Sequence, residues 1–416
     1  MNASVPRRNN PPWLFGLLSL PYGVFNNVMA VLVPFLLRKR GIPVDRIAEV
    51  IAISSIPNVW YFLWSPVVDL GFRRRTWVLI AAGGSGLIGG IAVLTSAGSL
   101  LQLTVLLLAA NVVGMLLSSA NGALLTTLDP SVRGRAAGWY QAGNLGGGAL
   151  GGGAAIWLAS FAPVPLMALA CTTMTFLPAL AALRISEETV TRLRPSVLFR
   201  AMGHDVWDVL RAPATWVGLL FFLSPVGSAA VMNLISSLGP DYHASDAEVA
   251  WVSGLAGGLL SAAGCMFGGF ICDRIKRTTA YALAGLLSAV FSAWMALGPP
   301  TSFTYAGGYI GYALAAGFAY AAFTALELDV LGNRPHAAGT AYSLLGASGN
   351  LPITYMTWID GAAYKRAGRF GLMGADTVAN GLVATILLIF AGSIARRWFR
   401  STGENPSETI SSNTSL

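Results

Sequence analysis

Residues 62–79 read FLWSPVVDLGFRRRTWVL, and residues 268–279 read GGFICDRIKRTT. In each stretch an apolar run closes on an aspartate, a basic cluster follows, and a polar or aromatic residue leads into the next apolar run. Asp69 and Asp273 stand 204 residues apart. Other points match at nearly the same offset. Residues 124–129 read LLTTLD and residues 325–329 read ALELD, while Ala136-Ala137-Gly138 recurs as Ala337-Ala338-Gly339, 201 residues on. A near-constant offset at matching points marks the duplication of one unit. Parallel repeats of this kind are a recurring plan of membrane transporters.

Working outward, twelve apolar runs reach the length of about 20 residues that a bilayer-spanning helix needs. They cover 13–37, 47–70, 77–97, 100–125, 137–160, 164–183, 215–238, 249–271, 279–297, 302–326, 337–358 and 375–395. A transmembrane barrel would show short alternating segments instead. Helices satisfy their own backbone where no water is at hand. The expectation is an all-α membrane protein with twelve transmembrane helices in two six-helix repeats. Residues 1–12 form a polar tail, 13–184 the first bundle, 185–213 a linker, 214–397 the second bundle, and 398–416 a disordered tail. Within the linker, 196–210 has the pattern of an amphipathic helix on the membrane surface. The first run is too long for the apolar core of a cleaved signal peptide.

Composition agrees. Of 416 residues 55% are hydrophobic and 11% charged, against roughly 25% charged in a soluble domain. Mean hydropathy is +0.63. The net charge of +8 would suit nucleic acid if it were clustered in a soluble domain. Here it follows the spans: nineteen of the 26 basic residues fall on the face that holds both chain ends and seven on the other. The positive-inside rule then places both termini in the cytoplasm and the chain as a multi-pass protein of the inner membrane. The excess is an orientation signal, with no nucleic-acid partner implied. Arg38, Lys39 and Arg40 break the rule locally; they are candidates for attracting an anionic solute or for contacting headgroups. Cys171, Cys265 and Cys272 read as buried reduced thiols, and no Cys/His spacing suits a metal. No cofactor is expected. With no triad, metal cluster or paired carboxylates, an enzyme is not expected either.

Twelve helices as six plus six, with an acidic-basic loop after helices two and eight, resemble the major facilitator superfamily over about 13–397. The 62–79 stretch is similar to the branch of AmpG-type and acetyl-CoA transporters, and Leu20-Pro21-Tyr22-Gly23 fits it. That resemblance implies proton-driven alternating access and a bulky polar solute of the muropeptide, acyl-CoA or siderophore class. A monomer is expected. The alternatives are a facilitator-fold exporter of drugs or metabolites and a membrane sensor that transports nothing. An exporter reading is weakened because helix five lacks the Gly-Pro pair of many drug antiporters.

The candidate residues follow from cost. Asp69 can sit at a helix N-terminus, where an anion is favoured, and Arg73, Arg74 and Arg75 can pair with carboxylates or carbonyls of neighbouring helices. With Asp273, Arg274 and Arg277 they form the candidate cytoplasmic gate; plain topogenic charge is the simpler alternative. An intramembrane carboxylate is expensive and so usually functional. Glu327 is the leading proton-coupling candidate, because helix ten places Tyr305, Tyr309, Tyr312, Tyr320, Phe323 and Glu327 on one face. Asp129 is the second, although the Pro130, Arg133 and Arg135 that follow favour an ion pair. Polar groups inside apolar helices mark a candidate substrate pathway: Tyr22, Asn26, Asn58, Trp60, Asn111, Tyr140, Gln141, Asn144, Tyr309, Tyr312, Tyr320 and Asn350. Residues 146–151 (GGGALG) spell a dinucleotide fingerprint, but inside an apolar helix and without a βαβ unit, so nucleotide binding is rejected. The glycines of helices five and eight instead suggest a close-packed sliding seam between the halves.

Overall fold

The computed structural model describes residues 10–159, 161–187, 195–332 and 337–402. Arg7, Arg8, Arg192, Arg194 and Arg334, most of the N-terminal tail and the last fourteen residues lie outside the described residues. No strand occurs among the described residues, and the fold is the twelve-helix, two-repeat one. The helices, in chain order, are α1 (Trp13–Lys39), α2 (44–69), α3 (Arg74–Leu94), α4 (Leu100–Leu125), α5 (Arg133–Ala159), α6 (Val164–Arg184), α7 (213–238), α8 (Ala247–Cys272), α9 (Arg277–Leu297), α10 (Ser302–Leu331), α11 (338–366) and α12 (369–402). A linker helix, Pro195–Arg211, joins α6 to α7. It buries Met202 and Val209 and exposes Trp207, whose ring Arg211 covers at 4.5 Å.

Among the described residues eight stretches are long and apolar enough to cross a membrane, one of them holding both α11 and α12. The other spans depart from that profile for identifiable reasons. In α2, Pro57 and Pro66 interrupt the ladder, since proline lacks a donor and clashes with the preceding turn. The helix breaks into Val44–Ser55, Pro57–Trp60 and two 3₁₀ turns, Tyr61–Leu63 and Ser65–Asp69. The expected unbroken run 47–70 is therefore wrong in its second half. α7 is broken the same way at Pro225. α5 carries Gln141, Asn144 and a run of glycines, tolerable because it packs between α1 and α8. The loop expected at 359–374 is mostly helix. Only Ala367 and Gly368 leave the helical region, with Gly368 at φ +56° making the turn.

Asn10 exchanges two hydrogen bonds with Ser186, which places the start of the described chain beside the end of α6. We call this side the terminal face and the opposite one the far face. Within the first half α1 lies along α5, and α3 packs on α4 and α6; within the second, α10 packs on α8 and α9, and α9 on the α11–α12 pair. The halves meet where α5 crosses α8 and α10, and where α2 and α4 meet α11.

The glycines divide between these contacts, so the expected seam is narrower than the sequence suggests. On α5, Gly143, Gly147 and Gly151 lie against Gly16, Leu20 and Val24 of α1, inside one half. On α8, Gly264 and Gly268 lie against Leu314 and Phe318 of α10, inside the other. Between the halves stand Gly138, where an added methyl would lie 2.9 Å from Gly269 Cα, and Gly258, which lies against Ala149. Overpacking a close contact costs about 1–3 kcal/mol. Gly143→Ala is expected to lower the thermal midpoint of the purified protein. Gly138→Ala is expected to spare the fold and widen the distance between spin labels on α5 and α8 at the terminal face. A loss of stability without any change in that distance would contradict the division.

Candidate functional site

At the terminal face two aspartates make the same contact across the halves. The Asp69 carboxylate, at the end of α2, accepts from the backbone N–H groups of Gly339 (3.1 Å) and Thr340 (2.9 Å) and from the Thr340 hydroxyl (2.9 Å). These amides belong to the first turn of α11, where N–H groups have no partner in the helix and the dipole is positive. The Arg74 guanidinium lies 3.7 Å from the same carboxylate, whose side chain is 1% exposed. Asp273, at the end of α8, accepts from the N–H groups of Gly134 (2.9 Å) and Arg135 (3.2 Å) in the first turn of α5, and from Arg135 Nε (2.8 Å). The partners Gly134 and Gly339 are 205 residues apart, within one residue of the aspartate offset. The Ala-Ala-Gly repeat, at an offset of 201, is thus about one helical turn out of register with the structural repeat.

Arginines complete the junction. Arg74 and Arg277 occupy matching positions, reaching the carbonyls of Ala123 and Ala325. Arg277 also donates to Pro130 O (2.7 Å) across the halves and pairs with Asp329. Buried Arg133 spans the same gap, donating to Thr126 O, Leu128 O and Leu328 O. Of the other predicted members, Arg75 stays in its own half with Ile185 O and Glu187, and exposed Arg73 precedes α3. Arg274 lies over the Phe270 ring at 3.2 Å. Asp129 turns back to accept from the Ser131 N–H and hydroxyl, capping the short turn after α4.

The interior brings a second set together. Glu327 of α10 is 1% exposed, and its Oε1 has no hydrogen-bond partner. It lies within electrostatic reach of Tyr61 of α2, Tyr140 of α5 and Tyr342 of α11, so both halves contribute to its surroundings. Glycine at 346 leaves the opening: a Cβ there would lie 2.6 Å from the Tyr61 hydroxyl and 3.1 Å from Glu327 Oε1. Tyr22 packs beside Tyr61 and Tyr140. Ser118 reaches the Tyr140 hydroxyl at 3.3 Å. Gln141 donates to Thr324 across the halves at 2.7 Å and accepts from Asn144 at 3.2 Å.

A neighbouring polar ladder joins α4, α2 and α11. Asn111 donates to Ser54 O (2.8 Å) and Asn58 Oδ1 (3.0 Å), and Asn350 donates to Asn58 O (2.8 Å). Asn26 bonds back to Tyr22 O in its own helix, and Trp60 is exposed beside Phe62. Tyr320 packs with Ala142, Leu145 and Ala262, where α5, α8 and α10 meet. Tyr309 and Tyr312 belong, with Tyr305, Met295, Leu372 and Met373, to a core cluster of the second half against which Tyr320 also packs.

Tyr61 and Tyr342 were missed in the sequence. The break in α2 rephases Tyr61 away from the face an unbroken helix would give it, and Tyr342 belongs to the next helix after Glu327. Lys39 and Arg40, exposed at the far face, also bond to backbone carbonyls. Lys39 donates to Ala159 O at the end of α5, and Arg40 to Ser96 O and Gly98 O just beyond α3. Arg369 does the same at the end of α9, with Met295 O, Ala296 O and Gly298 O. Cations at helix C-termini satisfy open carbonyls and the negative end of the dipole.

Solved structures share the fold. The human organic anion transporter MFSD10 superposes with a TM-score of 0.66 at 18% identity, covering 90% of this chain and 98% of its own. FucP in the outward conformation gives 0.68 at 14%, covering 92% and 98%. The proton:xylose symporter XylE gives 0.69 at 12%, covering 92% and 95%. At such identities the likeness establishes the fold. No curated protein sequence matches the chain. The family signature described as Major Facilitator Superfamily matches residues 14–357. With that match over most of its length, the duplicated six-helix halves and the paired junctions that join them are those of a chain that belongs to the major facilitator superfamily.

Proposed function

We propose that the protein is a secondary active transporter that takes up a bulky polar solute with protons across the cytoplasmic membrane by alternating access, both termini lying in the cytoplasm. The observation that carries this reading is Glu327: a buried carboxyl, one oxygen unpartnered, flanked by tyrosines from both halves where the halves meet. A group so placed can take up and release a proton only if the halves move to admit water. The tyrosines offer faces and hydroxyls suited to a large polar solute. Asp69 and Asp273, with Arg74 and Arg277, act as the cytoplasmic gate, and their bonds across the halves describe the inward face closed. The resemblance of 62–79 to the AmpG-type and acetyl-CoA branch supports a muropeptide, acyl-CoA or siderophore solute.

The test is uptake by the purified protein in liposomes under an imposed pH gradient, with one solute of each class. Accumulation of one class, abolished by a protonophore, is the expected result. Accumulation only when the gradient is reversed would make the protein an exporter, and movement of no solute would overturn the reading.

A further inference from the structure

The second half holds another buried acidic pair, which the pathway around Glu327 does not use. Asp360 lies near the far-face end of α11 and Asp376 near the start of α12, on either side of the turn at Ala367–Gly368. Both are 0% exposed. Asp376 is held by donors from three helices: Ser292 Oγ of α9 at 2.5 Å, Tyr312 OH of α10 at 3.2 Å, and Asn380 Nδ2 of its own helix at 3.0 Å. Asp360 has no such donor; both of its carboxyl oxygens are buried without a partner. It lies within electrostatic reach of Asp376 and Tyr312.

The charged groups around the pair are few. α9 presents Ser292, α10 presents Tyr312 with Tyr320 beyond it, and α12 presents Asn380. Among the described residues neither acid forms a salt bridge. Arg369, nearby in sequence, is committed to the carbonyls at the end of α9 and to the Tyr242 ring. Lys365 and Arg366 are exposed.

Two neighbouring carboxylates in one buried site do not both stay charged, and a buried acceptor without a donor is costly. The donors divide the roles. Three of them suit Asp376 to the carboxylate form. Asp360, with none, is served by a proton of its own, which removes the second charge from the buried site. We propose that Asp360 and Asp376 form a proton-binding site within the second half, separate from Glu327, with the proton on Asp360 and Asp376 as the neighbouring carboxylate. α11 carries Asp360 near one end and the Gly339 and Thr340 amides bound by Asp69 at the other. Occupancy of the site therefore acts on the same helix that closes the terminal face.

The experiment is infrared difference spectroscopy of the full chain in detergent after a pH jump, reading the carboxyl C=O band. Glu327→Gln serves as the background, so that Glu327 makes no contribution. A titrating carboxyl band is expected there, lost on adding Asp360→Asn. Adding Asp376→Asn instead should keep the band but move its frequency and shift its midpoint by at least one pH unit, as Asp360 loses a charged neighbour. Identical spectra with and without Asp360→Asn would overturn the proposal. If Asp360→Asn folds poorly, an unchanged band in the Asp376→Asn variant overturns it. Displacement of the band by sodium at constant pH would also overturn it, in favour of a metal-cation site.

Discussion

Glu327→Gln is expected to abolish proton-driven accumulation of solute while leaving expression and the thermal midpoint near those of wild type. Glutamine keeps the volume but cannot carry a proton. An intramembrane carboxyl is expensive, so a neutral amide in its place is expected to leave the thermal midpoint little changed. Solute should still equilibrate down its own gradient, because the tyrosines that would contact it are unchanged. The comparison is made in liposomes with and without a pH gradient. Wild-type accumulation in the variant would remove Glu327 from the coupling mechanism. Loss of downhill movement as well would place it in solute binding instead.

Asp69→Ala should have the largest conformational effect. The substitution removes three hydrogen bonds to the first turn of α11 and leaves Arg74 without that carboxylate. Hydrogen bonds to a charged group contribute about 1.5–3 kcal/mol, and those lost here are the ones across the halves. A loss at the upper figure is a shift of about 100-fold away from the state closed at the terminal face. Spin labels at the terminal-face ends of α2 and α11 should report longer distances, in a background without Cys171, Cys265 and Cys272. Asp273→Ala should do the same between α8 and α5. The two contacts are on different helix pairs, and the double variant should exceed either single one. Distances that stay at wild-type values would show that these contacts do not hold the face closed.

The duplication and the span count could be read from the sequence because hydrophobic length and a repeated Asp-to-basic spacing are local signals. Asp69 and Asp273 could be singled out for that reason, but their partners could not. Each binds backbone amides of a helix in the other half, and backbone amides leave no mark on a sequence. The three-residue mismatch between the Ala-Ala-Gly offset and the Asp offset was the one clue to register. Tyr61 was hidden by the proline breaks in α2, which invalidate a 100° helical wheel beyond Pro57. The stripe on α10 was correct as geometry on one helix. It did not show that Tyr309 lies against Gly257 of α8 and Tyr312 bonds to Asp376 of α12, whereas Glu327 meets the other half. Asp360 was missed because residues 359–374 were read as a loop, where a carboxyl costs little. The carbonyls that Lys39, Arg40 and Arg369 satisfy could not be named from the sequence, because helix ends were uncertain by a few residues.

The central claim is that the halves rock, closing one face as the other opens. Its most direct test places one spin-label pair across the terminal-face ends of α2 and α11 and another across the far-face ends of α1 and α7. Both are read in lipid nanodiscs over a pH series, with and without the transported solute. Opposite changes are expected, the terminal-face distance lengthening under the conditions that shorten the far-face one. Two distances that lengthen and shorten together, or that never change, would contradict it.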